Sequence, residues 1–222
     1  MILKPDVSPI PISEKPFTYN YSQPSEYRFS MDSIEMAFRL GMAYRETEHN
    51  EQLSVLDVCS GCGVLGFEFE YFEKRVRKID FVEVQENYIP HFEANRGMAG
   101  GASEKFRFLH QNYESLLSPE FANEYDIVLC NPPYFRKGHG TLAPSQFKNR
   151  CRFFLDSDFQ TLVRVTQHVL SPKGCAYLIL RGLQEHGFDA IKEMKNMLAG
   201  ACVVEELSPV RTARFVRLMK LG

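Results

Sequence analysis

With 222 residues, 44% of them hydrophobic and 24% charged, the chain has ordinary globular usage and enough length to bury one substantial core, which excludes a largely disordered protein. A formal net charge of −2 conceals a local excess of cations, since residues 136–152 hold Arg136, Lys137, Lys148, Arg150 and Arg152 with no acidic residue among them. No run reaches the roughly 18 apolar residues of a membrane span or resembles a secretory leader, so a soluble, cytoplasmic chain is the expectation.

The first 26 residues are punctuated by proline and read as an arm, ahead of a single domain over residues 27–222. After Tyr27, the segment that ends Phe29-Ser30-Met31-Asp32-Ser33 leads into an apolar period at Ile34, Phe38 and Met42, which predicts a helix capped by Asp32 with Glu35 as the return partner. Apolar, β-rich runs then recur at residues 55–59, 79–84, 106–110, 125–130, 175–181, 201–207 and 213–219, which predicts seven strands. Leu65, Phe69, Phe72 and Val76 fall at helical spacing between the first two, and strand-helix alternation of this kind predicts a mainly parallel sheet with helices on both faces. Only residues 208–212 separate the last two runs, too few for a crossover helix, so these should pair antiparallel.

The six cysteines read as free and mostly buried thiols. Cys59 and Cys62 have C-x-x-C spacing, but no second pair or histidine cluster follows to complete a zinc site, and no metal is expected.

The chemistry gathers where the strands end. Val55 to Gly66 is a strand running through Ser60, Gly61 and Gly63 into a helix, a turn in which a ligand can lie against backbone amides. Its G-x-G-x-x-G spacing also suits a nicotinamide or flavin cofactor. Asp57 and Ser60 shift the balance toward a methyl donor with a methionine tail: their oxygens can meet an ammonium group, whereas a pyrophosphate would be repelled by the carboxylate. Glu83, seventeen residues beyond Gly66 and followed by Val84, can accept from both hydroxyls of a ribose. Asn112 and Tyr113 follow the third strand, and Asn112 is assigned to the adenine amino group of such a cofactor.

The fourth strand runs straight into Asn131-Pro132-Pro133-Tyr134-Phe135. A planar amino or amide nitrogen is a poor nucleophile, and positive charge grows on it as a methyl group arrives. The Asn131 side-chain oxygen and the Pro132 carbonyl can accept from its hydrogens, held in place by two prolines, while Tyr134 stacks on the flat target. No general base or metal is required.

This turn resembles the Asn-Pro-Pro-Tyr signature of class I S-adenosylmethionine-dependent methyltransferases that act on adenine, cytosine or glutamine nitrogen. Together with Phe29 to Ser33, Asp57 to Gly66 and Glu83, it resembles the bacterial tRNA adenine-N6 methyltransferases that modify the purine beside the anticodon of a valine tRNA. That likeness implies a Rossmann-like, seven-stranded sheet with an antiparallel last strand and S-adenosyl-L-methionine as cofactor. It also implies that Met31 and Asp32 line the cofactor pocket, that Asn112 stands where the family usually has aspartate, and that the basic stretch after Phe135 meets the phosphates flanking an extruded adenine. A protein-glutamine methyltransferase and a catalytically silent RNA-binding module are the alternatives.

Overall fold

The computed structural model describes residues 17–47, 51–100, 104–182 and 187–221, and among these seven strands and six α-helices follow one another along the chain. In order they are α1 (Met31–Arg45), β1 (Leu53–Val58), α2 (Val64–Phe72), β2 (Val76–Glu83), α3 (Ile89–Met98), β3 (Phe106–His110), β4 (Tyr125–Cys130), α4 (Gln146–Arg152), α5 (Phe159–Val169), β5 (Leu170–Leu180), α6 (Ala190–Met197), β6 (Cys202–Val210) and β7 (Ala213–Lys220). The sheet order is β3-β2-β1-β4-β5-β7-β6. The first five strands are mutually parallel, and β7 runs antiparallel to both β5 and β6. The expected sheet is therefore present, including the late antiparallel pair.

Strand periodicity explains why both faces are covered. In β1, Val55 packs with α1, α2 and α3 on one face, while Leu56 and Val58 join Leu162, Val165 and Met194 of α5 and α6 on the other. In β4, Ile127 and Leu129 alternate in the same way with Val128 and Cys130. A parallel sheet buried on both sides needs runs of this kind.

Two local expectations fail. Val76 does not extend α2, which ends at Phe72; the side chain of Glu73 takes the Arg75 N–H at 2.8 Å and its guanidinium at 2.7 Å, turning the chain so that β-branched Val76 starts β2. Nor does Asp32 cap α1. Ser30 occupies the cap position, Asp32 lies inside the first turn with its carboxylate on Arg181 (2.7 Å) and Arg211 (3.4 Å), and Glu35 pairs with Arg39 instead of reaching back.

Residues 1–16 of the expected arm lie outside the described residues. From Phe17 onward the arm lies against α2 and α3: Thr18 N–H donates to Glu68 at 2.8 Å, Tyr21 O–H to the same carboxylate at 2.7 Å, and Ser22 N–H to Asn95 at 2.7 Å. This strap delivers Tyr27, Phe29 and Ser30 to the carboxyl edge of the sheet.

Candidate active site

The strand order reverses between β1 and β4, the place where ligands sit in open α/β sheets. Val58 and Cys130 are partners in the β1·β4 register, so the bend after β1 and the turn after β4 leave the sheet side by side. Between them opens a cleft lined by Asp57, Ser60 and Gly61 from one side and by Asn131, Pro132, Pro133 and Tyr134 from the other. Glu83, Val84, Asn112 and Tyr113 also line it.

The floor of the cleft contains polar atoms in need of partners. Asp57 is fully buried; its Oδ2 accepts from Gly66 N–H at 2.9 Å, while Oδ1 has no partner among the described residues. Burial pushes its carboxyl up to about 8, against the opposing pull of the Gly66 amide. Ser60 Oγ, Gln85 Oε1 and Gln111 Nε2 are also buried without a protein partner, and all three residues line the cleft. Buried polar groups are rarely left unsatisfied, so four orphans at one cleft mark a place built for a polar ligand. Asp57 and Ser60 together can hold an ammonium, and the amides of Gln85 and Gln111 offer the donors and acceptors that a nucleobase edge requires. The donor set fits S-adenosyl-L-methionine.

The two polar positions that follow β2 and β3 differ. Glu83 accepts from Gly61 N–H at 3.0 Å and from Gln85 N–H at 2.8 Å; burial raises its carboxyl above the usual range, and these amides oppose the rise. It thus braces the glycine bend, and each oxygen keeps a lone pair for a ribose hydroxyl. Asn112 is more committed: its oxygen caps the next turn by accepting from Glu114 N–H at 3.0 Å, and its amide nitrogen donates to the Asp156 carbonyl at 2.7 Å. Gln111, its neighbour, carries the unpartnered amide.

The turn after β4 is stitched to the segment after α4. Tyr134 and Phe135 N–H both donate to the Arg152 carbonyl at 2.9 Å, and Phe154 N–H returns to the Phe135 carbonyl at 2.8 Å. Asn131 Nδ2 donates to Ser33 Oγ at 2.8 Å and more weakly to Ser30 Oγ at 3.3 Å, while its oxygen accepts from Tyr134 O–H at 2.5 Å. Phe153 and Phe154 complete the wall of the cleft.

The geometry separates the assigned residues that line the cleft from those that do not. Met31 packs against the apolar core and Asp32 is engaged by two arginines, so neither lines the cleft; Phe29, Ser30 and Ser33, one helical face away, do. Gly63 does not line it either: it sits at the start of α2 with φ +84°, and a Cβ there would meet the Phe67 ring at 2.5 Å, so the fold itself requires that glycine. Phe135 is not among the lining residues and packs on Phe153, which is, with centroids 5.1 Å apart and planes tilted by 32°. The basic stretch, read as a segment facing substrate, is divided: Arg136 is bound to Glu193 at 2.7 Å and lies 3.9 Å over the Phe188 ring, whereas Arg150 lines the cleft while paired with Asp156 at 2.9 Å. Lys137 is exposed, Lys148 lies half-buried on α4, and Arg152 rests against Phe135 and Phe153. Tyr27, Tyr88 and Gln85 carry no role in the sequence reading, because an aromatic or amide outside a motif gives no signal until the fold brings it in; Gln111 stands beside Asn112 in the polar pair that ends the third strand, and its amide lines the cleft.

Fold and cleft together define a class, that of methyltransferases that use S-adenosyl-L-methionine as methyl donor. The chain belongs to the methyltransferase small domain family, whose model matches residues 27–184. It is similar to a tRNA1(Val) (adenine(37)-N6)-methyltransferase of Flavobacterium psychrophilum, 25% identical over 72% of this chain and 69% of that one. A protein of the same name from a Shewanella species is 27% identical over 64% of this chain and 58% of its own. A solved S-adenosylmethionine-dependent methyltransferase from Agrobacterium tumefaciens shares the fold with a TM-score of 0.60 at 18% identity, over 86% of this chain and 63% of that one. The chain thus spans under two thirds of the length of some of these proteins. Among the described residues no group of His, Cys, Asp and Glu is placed to hold a metal ion, and no helix is long and apolar enough to cross a membrane.

Proposed function

We propose that the chain transfers a methyl group from S-adenosyl-L-methionine to the exocyclic N6 of an adenine in RNA, with tRNA as the first candidate. One observation carries this reading: the orphaned Asp57 and Ser60 oxygens and the Asn131-Pro132-Pro133-Tyr134 turn face one another across a single cleft. The names of the similar tRNA methyltransferases support the choice of adenine and of RNA.

When bound, the donor supplies an electrophilic methyl carbon on a sulfonium sulfur. Asp57 and Ser60 would hold its ammonium, Glu83 its ribose hydroxyls, Val84 and Tyr113 the faces of its adenine, and Gln111 with Asn112 the edge. The remaining lone pair of the Asn131 oxygen and the Pro132 carbonyl would accept from the two hydrogens of the target amine and stabilise the charge that builds there. Tyr134 would stack on the base, an interaction worth roughly 1–3 kcal/mol that also aligns the nitrogen for attack. The nitrogen's lone pair would take the methyl carbon as its bond to sulfur breaks, the sulfur keeping that electron pair as the leaving thioether, and the nitrogen would then release a proton to solvent, so no side chain need act as base.

Incubation with donor labelled in its methyl group and, in separate vessels, bulk tRNA, rRNA, DNA and ribosomal proteins tests the reading. Label is expected in tRNA as N6-methyladenine. Label in protein alone, or in RNA at a ring nitrogen, would overturn it, and a chain that binds no donor would be a silent module.

A further inference from the structure

The hairpin that completes the sheet turns over at Arg211 and Thr212, between the paired residues Val210 and Ala213. Arg211 takes φ +53°, the left-handed region that glycine and asparagine occupy readily in such turns and that a residue with a long side chain avoids. Conformations of this kind persist only where the surroundings impose them. Here they do: the buried Arg39 donates to the Ser208 and Pro209 carbonyls at 3.1 and 2.9 Å, and Arg181 donates to Thr212 Oγ1 at 2.7 Å, so the turn is held on both flanks.

Its contacts within the fold do not require an arginine in this turn. The Arg211 Nε stands 3.4 Å from Asp32 Oδ1, but the buried Asp32 already accepts from Arg181 Nη2 at 2.7 Å. The Arg211 side chain is 52% exposed, a setting in which an ion pair adds little to stability. Arg214, three residues on, differs, since two hydrogen bonds to Glu206 at 2.7 and 2.8 Å engage it. One carboxylate between two guanidinium groups leaves a positive charge over, and it lies beside the site: the Arg181 guanidinium carbon is 5.1 Å from the ring centroid of Tyr134, and Asp32 bridges Arg181 to Arg211. A guanidinium presented at the surface next to a stacking aromatic matches a phosphate, whose oxygens accept its N–H fork in two parallel bonds. We propose that Arg211, with Arg181 behind it, binds a backbone phosphate of the RNA next to the adenine on Tyr134, and that the turn keeps a strained residue for that purpose. The inference deepens the proposed transfer to RNA and rests on it, and it adds cations from β5 and the β6–β7 turn to those carried by α4.

Stability and affinity read together separate this role from mere service to Asp32. Glycine relieves the left-handed backbone and removes the cation, so Arg211→Gly is expected to melt at or above the wild type. Its dissociation constant for tRNA at low salt should rise about fivefold, and the slope of log affinity against log salt should flatten by about 0.7, the share of one phosphate on a single strand. In steady state the KM for RNA should rise by a similar factor while kcat at saturating RNA stays within about twofold, because the cation meets a phosphate and not the reacting nitrogen. Arg211→Asn, equally at home at this φ and uncharged, should behave alike. A glycine variant that melts below the wild type, or that binds tRNA within about twofold of it, would overturn the inference. Should the wild-type chain neither bind nor label RNA, the substrate reading has failed and the inference falls with it; a wild type that labels RNA beside an Arg211→Gly with unchanged KM overturns the inference alone.

Discussion

At Asp57 a carboxylate with no exposed surface has one oxygen bonded to the Gly66 amide and the other without a protein partner, and burial lifts its pKa to about 8 from an ordinary 3.8. The folded chain therefore binds a proton that the unfolded chain has released, and stability falls as pH rises from about 4 through 8. Asn in this position keeps an acceptor for Gly66 and carries no charge, so Asp57→Asn is expected to melt above the wild type at pH 8.5, with the gap closing toward pH 4; equal melting curves across that range would contradict the assignment. The same substitution turns an NH2 toward the place of the donor's ammonium, and a loss of one charge-assisted hydrogen bond, about 1.5–3 kcal/mol, should weaken donor binding roughly ten- to a hundredfold in calorimetry. Wild-type affinity should itself rise with pH up to about 8, since only the ionised carboxylate serves the ammonium, and then decline as the donor's own amino group, with a pKa of about 7.7–8.0, loses its proton. Under the proposed transfer the Asn131 oxygen serves the target, the opposite of Asp57: Asn131→Ala should abolish transfer while leaving the donor dissociation constant within about threefold, and a large loss of donor affinity would move the residue to the cofactor side.

The bend between β1 and α2 joins these residues into one device. An alanine Cβ at Gly66 would lie 2.5 Å from the Phe81 ring and 3.2 Å from Asp57 Oδ2, and Phe81 is fully buried with no room to retreat. Gly66→Ala is expected to destabilise the fold by about 1–3 kcal/mol in urea unfolding and to weaken donor binding as well, because the shift carries Asp57 with it. A stable variant with intact affinity would show that the bend adjusts freely. The strands and this bend were legible in the sequence because their signal is local: a period of two, glycines at fixed offsets, and polar residues at strand ends. Val76 was misread for the same reason, since four residues at helical spacing cannot reveal that Glu73 and Arg75 close the helix early. Gly63 looked like a cofactor glycine and serves the packing of Phe67, while Asp32 looked like a cap and serves Arg181, a residue 149 positions away. What remained hidden at the site, Gln85 and the Phe153-Phe154 wall, reaches the cleft only through long-range pairing that spacing does not encode.

Across the whole molecule, the charge balance is close to neutral and only its arrangement favours a polyanion. Lys137, Lys148, Arg150 and Arg152 stay close to the turn after β4 because Tyr134 and Phe135 are bonded to the Arg152 carbonyl, so α4 is held beside the cleft, where Arg150 and Cys151 line it. A flexible RNA strand entering there would release counterions in proportion to the cations it meets, with a slope of about −0.7 per phosphate in a plot of log affinity against log salt. Replacing Lys137, Lys148 and Arg152 together by alanine should therefore weaken tRNA binding at low salt and flatten that slope by about 2, with donor affinity unchanged. Arg136 provides the contrast, since its guanidinium is engaged by Glu193 and stacked on Phe188; Arg136→Ala should lower the melting temperature and leave the slope where it was. A triple variant with the wild-type slope would remove this face from the path of the RNA and send the search for the phosphate contacts to the strap around Tyr27.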